Sequence, residues 1–81
     1  MQVEVKLFAG ARQIAGGDSI RVELADGATV RDLRAAVERA YPDLAPIMRR
    51  AMIAVDADYA GDDTVIPATA EVACIPPVSG G

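Results

Sequence analysis

Histidine and tryptophan are missing from this chain of 81 residues, and cysteine and lysine occur once each, as Cys74 and Lys6. Each gap removes a class of chemistry. Without histidine, the histidine-dependent Ser and Cys triads are excluded. A single thiol among scattered carboxylates matches no metal-ligand spacing. One cysteine makes no internal disulfide, so nothing points to an oxidising compartment. No apolar run approaches the ~20 residues needed to cross a bilayer. Met1-Gln2-Val3-Glu4 lacks the basic and apolar regions of a signal peptide, and the chain reads as cytoplasmic. There is no G-x-x-x-x-G-K-[ST] phosphate loop, and Gly10-Ala11-Arg12 and Gly16-Gly17 carry no dinucleotide spacing.

Positive charge is also scarce. The net charge is −4, which speaks against a nucleic-acid partner and for docking on a basic protein surface. Arg49-Arg50, the only adjacent basic pair, reads as a solvated helix end. Asp56, Asp58, Asp62 and Asp63 lack the spacing and bidentate Glu of a calcium loop, and read as a solvated loop.

What is present suffices for one domain. At 52% hydrophobic and 25% charged residues the chain is globular in composition. A chain this short buries a little over ~60% of its unfolded surface, enough for one modest core.

Val3, Val5 and Leu7 alternate with Gln2, Glu4, Lys6 and Phe8, the period of a half-buried strand. Gly10 to Gly17 reads as a loop. Ile20, Val22 and Leu24 repeat the alternation in a second strand, antiparallel to the first, and Ala25-Asp26-Gly27 is a turn. Thr29 caps a helix, with Asp32 three positions on at the positive end of the dipole. Val30, Leu33, Val37 and Ala40 form its apolar stripe, while Arg31, Arg34, Glu38 and Arg39 face solvent and Arg34 and Glu38 pair. Tyr41-Pro42 ends it.

A short helical turn is expected over 43–50, with Leu44 and Ile47 inward. A third strand runs over 52–55, followed by a turn at Asp56-Ala57-Asp58. Val65-Ile66-Pro67 is read as a brief edge strand, and 70–75 as the last strand. The order β-β-α-β-(β)-β, with one amphipathic helix on one sheet face, predicts an α+β fold of the ubiquitin-like β-grasp type. The last strand then lies centrally, parallel to the first. The expected division is a β-grasp domain over 1–76 and an extended tail over 77–81.

That tail, Pro76-Pro77-Val78-Ser79-Gly80-Gly81, carries the functional signal. Gly-Gly presents a carboxylate on a stalk without side chains, able to enter a cleft that a Cβ would block. Glycine loses more freedom on ordering than any other residue, so such an end is a poor way to stabilise a fold. The two prolines stiffen the exit, and from Pro77 the stalk spans at most about 16–18 Å. If Val72 and Cys74 point to the core, Ile75 and Phe8 share the open sheet face as an apolar docking patch. Cys74 itself reads as core, with no His or Lys near it in sequence to activate it.

With this tail, the chain resembles the ubiquitin-like sulfur carriers of the MoaD/ThiS class, the small subunits of molybdopterin synthase among them. Leu7-Phe8-Ala9, Arg12, Thr29-Val30-Arg31-Asp32-Leu33, Ala54-Val55 and Glu71-Val72-Ala73 fit the pattern over the full length, and the Gly-Gly ending is its specific part. Two departures stand out. Val55-Asp56 replaces the frequent Val-Asn, and Pro67-Ala68-Thr69-Ala70 replaces a Gly-Asp turn.

The resemblance implies that an E1-like, MoeB-like enzyme uses ATP to adenylate Gly81, and that a sulfur donor then makes a thiocarboxylate. It implies that this sulfur passes to the pterin precursor (precursor Z) held by a MoaE-like large subunit, within a heterotetramer. Gly80 and Gly81 are then the reacting tip, and Phe8, Ile75, Pro76, Pro77, Val78 and Ser79 the partner-binding residues. The chain itself binds no cofactor in this reading. Two further readings stay open: sulfur carriage for thiamin, tRNA or cysteine, and a ubiquitin-like binding module with an inert terminus.

Overall fold

Alternation of apolar and polar residues places Val3, Val5 and Leu7 on one side of the first strand, β1 (Gln2–Leu7), and Ile20 and Val22 on the same side of β2 (Ser19–Glu23). The computed structural model describes residues 1–77. These two strands pair antiparallel, Val3 with Val22 and Val5 with Ile20. β3 (Met52–Val55), β4 (Asp58–Ala60) and β5 (Val72–Ile75) complete a mixed sheet in the order β2-β1-β5-β3-β4. β5 is parallel to β1 and central, as the β-grasp reading requires.

The main helix, α2 (Val30–Ala40), packs on one face of the sheet. Val30, Leu33 and Val37 are completely buried, each contributing roughly 1.5–3 kcal/mol relative to exposure. Its start is a full capping box. The Asp32 N–H donates to Thr29 Oγ1 at 3.3 Å, and the Thr29 N–H donates to Asp32 Oδ2 at 3.0 Å. Asp therefore does here what Glu more often does, because its shorter side chain still reaches the cap's N–H. The helix ends at Tyr41, ahead of a 3-10 turn over Pro42–Leu44 and α3 (Ala45–Arg50). Met48 of α3 is buried along with Leu44, whereas Ile47 is only half-buried and Ala40 is exposed.

Three readings of the sequence need correction. First, the segment after β1 is not a loop: Ala9–Ala15 forms a helix, α1. Seven residues do not make a stable helix alone. This one is held by Ala11 buried in the core and closed by Gly16, whose φ of 74° suits a left-handed cap and whose N–H donates to the Arg12 carbonyl at 3.0 Å. Second, the edge strand is β4, not Val65-Ile66-Pro67. Asp56 and Ala57 both take positive φ, 50° and 70°, and reverse the chain in a two-residue hairpin. A turn of this kind is normally announced by Asn-Gly or Asp-Gly.

The 64–66 segment lies instead against the start of α2. The Val30 N–H donates to the Thr64 carbonyl and the Ile66 N–H to that of Ala28, and Ile66 joins the core. Third, Arg34 and Glu38 do not pair. Arg34 reaches Asp62, while Glu38 faces Arg49 at 3.4 Å.

Candidate functional site

The candidate site is built where β5 ends. Parallel pairing with β1 sets Leu7 beside Cys74, and antiparallel pairing with β3 sets Ile53 beside Cys74. All three are buried at 2% exposure or less, so this row points into the core. The next residue along β5 must then face the other way. That residue is Ile75, and its partner on β3 is Met52. On the β1 side the same step reaches Phe8, still extended at φ −127° and ψ 156°. Phe8 and Met52 are 44% and 49% exposed, and Ile75 and Pro76 are half-buried.

Phe8 and Ile75 thus each lie one position beyond the Leu7–Cys74 pair, and Met52 stands opposite Ile75 on β3. Tyr59 of β4 extends the same face, through its pairing with Ala54, which pairs in turn with Ala73. The opposite end of the face is polar, carrying Gln2, Glu4, Arg21 and Glu23. One apolar strip therefore stands at the end of the sheet next to the tail, where dehydration on docking is cheapest.

Met52 was legible as a strand residue. Its side of the sheet depends on its register with β5, which sequence spacing does not set. Of the tail residues, Pro76 and the exposed Pro77 are described. Val78, Ser79, Gly80 and Gly81, and with them most of the expected tail, lie outside the described residues.

Cys74 offers no competing chemistry. It is 1% exposed, its thiol donates to Met48 Sδ at 3.7 Å, and burial pushes its pKa up, against a smaller lowering by Arg34. A protonated, inaccessible thiol is inert. Arg34 is a structural clamp, with Nε donating to Asp62 Oδ1 at 3.0 Å and Nη1 donating to the Met48 carbonyl. Arg31 donates to Asp63 at 2.7 Å. Two of the four loop aspartates are accordingly used to fasten the 61–65 segment to α2. Among the described residues no three Cys, Asp or Glu side chains converge on a metal position, and no helix is long and apolar enough to cross a membrane.

Comparison with known proteins agrees with this geometry. Residues 5–81 match the ThiS family. The chain is 39% identical to the molybdopterin synthase sulfur carrier subunit of Chlamydomonas reinhardtii, over all of both chains. In structure it is similar to SAMP1 from Haloferax volcanii, with a TM-score of 0.86 and 30% identity over all of both chains. It is also similar to a putative molybdopterin converting factor subunit 1 from Pyrococcus furiosus, with a TM-score of 0.78 and 30% identity over 96% of this chain and 99% of that one.

Proposed function

Because the chain belongs to the ThiS family, we propose that it is a sulfur carrier for molybdopterin synthesis, with Gly81 as the atom-bearing tip and the folded body as its handle. The observation that carries this reading is the end-to-end match to a molybdopterin synthase sulfur carrier subunit, 39% identical, in a chain that closes on Pro-Pro-Val-Ser-Gly-Gly. The strip of exposed Phe8 and Met52 with half-buried Ile75 supports it by supplying a docking surface at the strand end that precedes the tail.

The chemistry follows from the carboxylate. An ionised carboxylate is a poor electrophile until one oxygen becomes part of a good leaving group. An E1-like adenylating enzyme supplies this by joining the Gly81 carboxylate to the α-phosphate of ATP, breaking the α–β phosphoanhydride bond and releasing pyrophosphate. A sulfur nucleophile then displaces AMP and leaves a thiocarboxylate, whose soft sulfur is the nucleophile offered to the pterin precursor. Acid–base groups and pterin contacts belong to the large subunit, since this chain has no histidine and its only thiol is buried. The role of the body is to bind, orient and deliver. A tip without Cβ atoms reaches a narrow pocket, and Pro76 and Pro77 limit the entropy lost on insertion.

Intact-mass measurement tests the proposal. The chain is incubated with an adenylating enzyme of this class, ATP and a sulfur source, and the replacement of one oxygen by one sulfur is localised to Gly81. Deleting Gly81, or adding a residue after it, is expected to abolish the exchange while leaving the melting temperature unchanged. Full sulfur transfer by either variant would overturn the carrier function. Supplying the pterin precursor and large subunit, in parallel with thiazole or tRNA acceptor systems, identifies the pathway served.

A further inference from the structure

Methionine stands at positions 1, 48 and 52, and the fold gives each sulfur a different environment. Met48 is 1% exposed, with its Sδ 3.7 Å from Cys74 Sγ in the core. Met1 is half-buried and packs against the same core, its ammonium held by Glu23 at 2.8 Å and by the Leu24 carbonyl. Met52 is the exception, 49% exposed although it is a strand residue. Register accounts for the difference. Ile53 stands beside Cys74 and is fully buried, so Met52, one position earlier and opposite Ile75, takes the other face of the sheet.

This exposure has a chemical consequence. A thioether is a soft two-electron donor, and its oxidation by peroxide depends on access without any need for deprotonation. The one thiol, Cys74, reacts through its thiolate, and burial keeps it protonated and inaccessible. Met52 is therefore the sulfur an oxidant meets first, and it belongs to the apolar strip with Phe8 and Ile75.

We propose that Met52 is a reversible oxidation site that turns off docking of the free carrier. The inference rests on the docking strip argued above and adds its regulation. In the step, a lone pair on Met52 Sδ attacks one oxygen of hydrogen peroxide, so that an S–O bond forms and the O–O bond breaks. The departing hydroxide takes the proton of the transferred oxygen and leaves as water. Sulfur is oxidised by two electrons and the peroxide is reduced. The sulfoxide dipole is hydrated on the free chain and must shed that water against an apolar partner surface, which opposes docking. The fold is left intact, because nearly half of this side chain already meets solvent. Reversal consumes a dithiol, which becomes a disulfide as the oxygen leaves as water. Docking itself covers Met52, so a carrier already bound is protected.

The test uses the full chain in its Gly81 carboxylate form, so that no thiocarboxylate is open to the oxidant. Dilute hydrogen peroxide is added, and peptide mapping follows each methionine. Met52 is expected to gain one oxygen ahead of Met1 and about tenfold or more faster than Met48, with the melting temperature unchanged. Excess large subunit is expected to slow oxidation at Met52 and not at Met1. In calorimetric titration the oxidised chain binds the large subunit about tenfold more weakly, the loss of one apolar anchor. Methionine sulfoxide reductase with a dithiol restores the affinity. Met52→Leu is scored by its ratio of affinities before and after peroxide, which stays near one whatever its starting affinity.

Oxidation of Met1 or Met48 ahead of Met52, unchanged affinity once Met52 is fully oxidised, or the same loss in peroxide-treated Met52→Leu each overturns the proposal. Failure of the unoxidised chain to bind the large subunit overturns both this switch and the docking it controls. A chain that binds and carries sulfur yet ignores Met52 oxidation loses the switch and keeps the carrier function. A chain whose docking responds to peroxide but which never acquires sulfur keeps the switch and loses the carrier function.

Discussion

Asp56 and Glu71 exchange a pair of hydrogen bonds just beyond the last ladder pair of β3 and β5. The Asp56 N–H donates to the Glu71 carbonyl at 2.8 Å, and the Glu71 N–H donates to Asp56 Oδ1 at 2.9 Å. The side chain thereby replaces a backbone acceptor at the point where Asp56, at φ 50°, turns away from the ladder. Asp and Asn tolerate this left-handed conformation better than other side chains because they bond locally. The amide oxygen of an Asn can accept the same bond, so Asp56 in place of Asn is chemically conservative.

Asp56→Ala is therefore expected to destabilise the fold by about 1–2 kcal/mol, combining the lost hydrogen bond with a poorer left-handed residue. Asp56→Asn should stay within about 0.5 kcal/mol of the parent. Urea unfolding of the three proteins decides it, and equal midpoints would remove the role given to this side chain.

At the other end of β5, truncation of Ile75, Met52 or Phe8 to Ala is expected to weaken binding to the large subunit about tenfold each, the cost of removing an anchor from an apolar strip. Because Phe8 and Met52 are nearly half exposed, their melting temperatures should change little. Calorimetric titration against the large subunit, alongside thermal melts, separates the two effects. A loss of stability with unchanged affinity would mean that the strip serves the fold and not the partner.

Arg34 ties α2 to two other segments, through Asp62 and the Met48 carbonyl. Its replacement by Met keeps the stem and removes the fork. We expect a loss of about 1–2 kcal/mol, since a carbonyl and a carboxylate both lose a charged donor. Hydrogen exchange should rise first at the Val30 and Arg31 amides, which donate to the 62–64 segment. Uniform exchange across the domain would contradict a local clamp.

Cys74 sets an alkaline limit on stability. Burial raises its thiol pKa in the folded chain, so the folded state keeps this proton to higher pH than the unfolded state does. The contribution is complete below the unfolded thiol's pKa, near about 8.5, and is lost as pH rises through the raised folded value. Parent stability should fall over that alkaline range, and Cys74→Ala, though less stable overall for its cavity, should show a flatter profile there. Identical pH slopes for the two proteins would exclude a titrating Cys74. Alkylating reagents should likewise label Cys74 only at the rate of unfolding.

Much of the fold was legible from residue order alone. Period-two alternation at Val3-Val5-Leu7 and Ile20-Val22-Leu24, and the Thr29 cap ahead of Val30, Leu33 and Val37, are local patterns. Local stereochemistry enforces them wherever the chain goes. Chemical exclusion was equally local, since an absent histidine is absent in every conformation.

The sequence also determined the composition of the tail. Tertiary structure alone decided the rest. It made a helix of Ala9–Ala15 by closing β1 onto β2 around Ala11, and it chose Asp58–Ala60 over Val65-Ile66-Pro67 as the edge strand. It also brought Met52 beside Ile75, 23 positions away in sequence. These outcomes turn on pairing register between distant segments, and register is fixed by which side chains the common core can bury together.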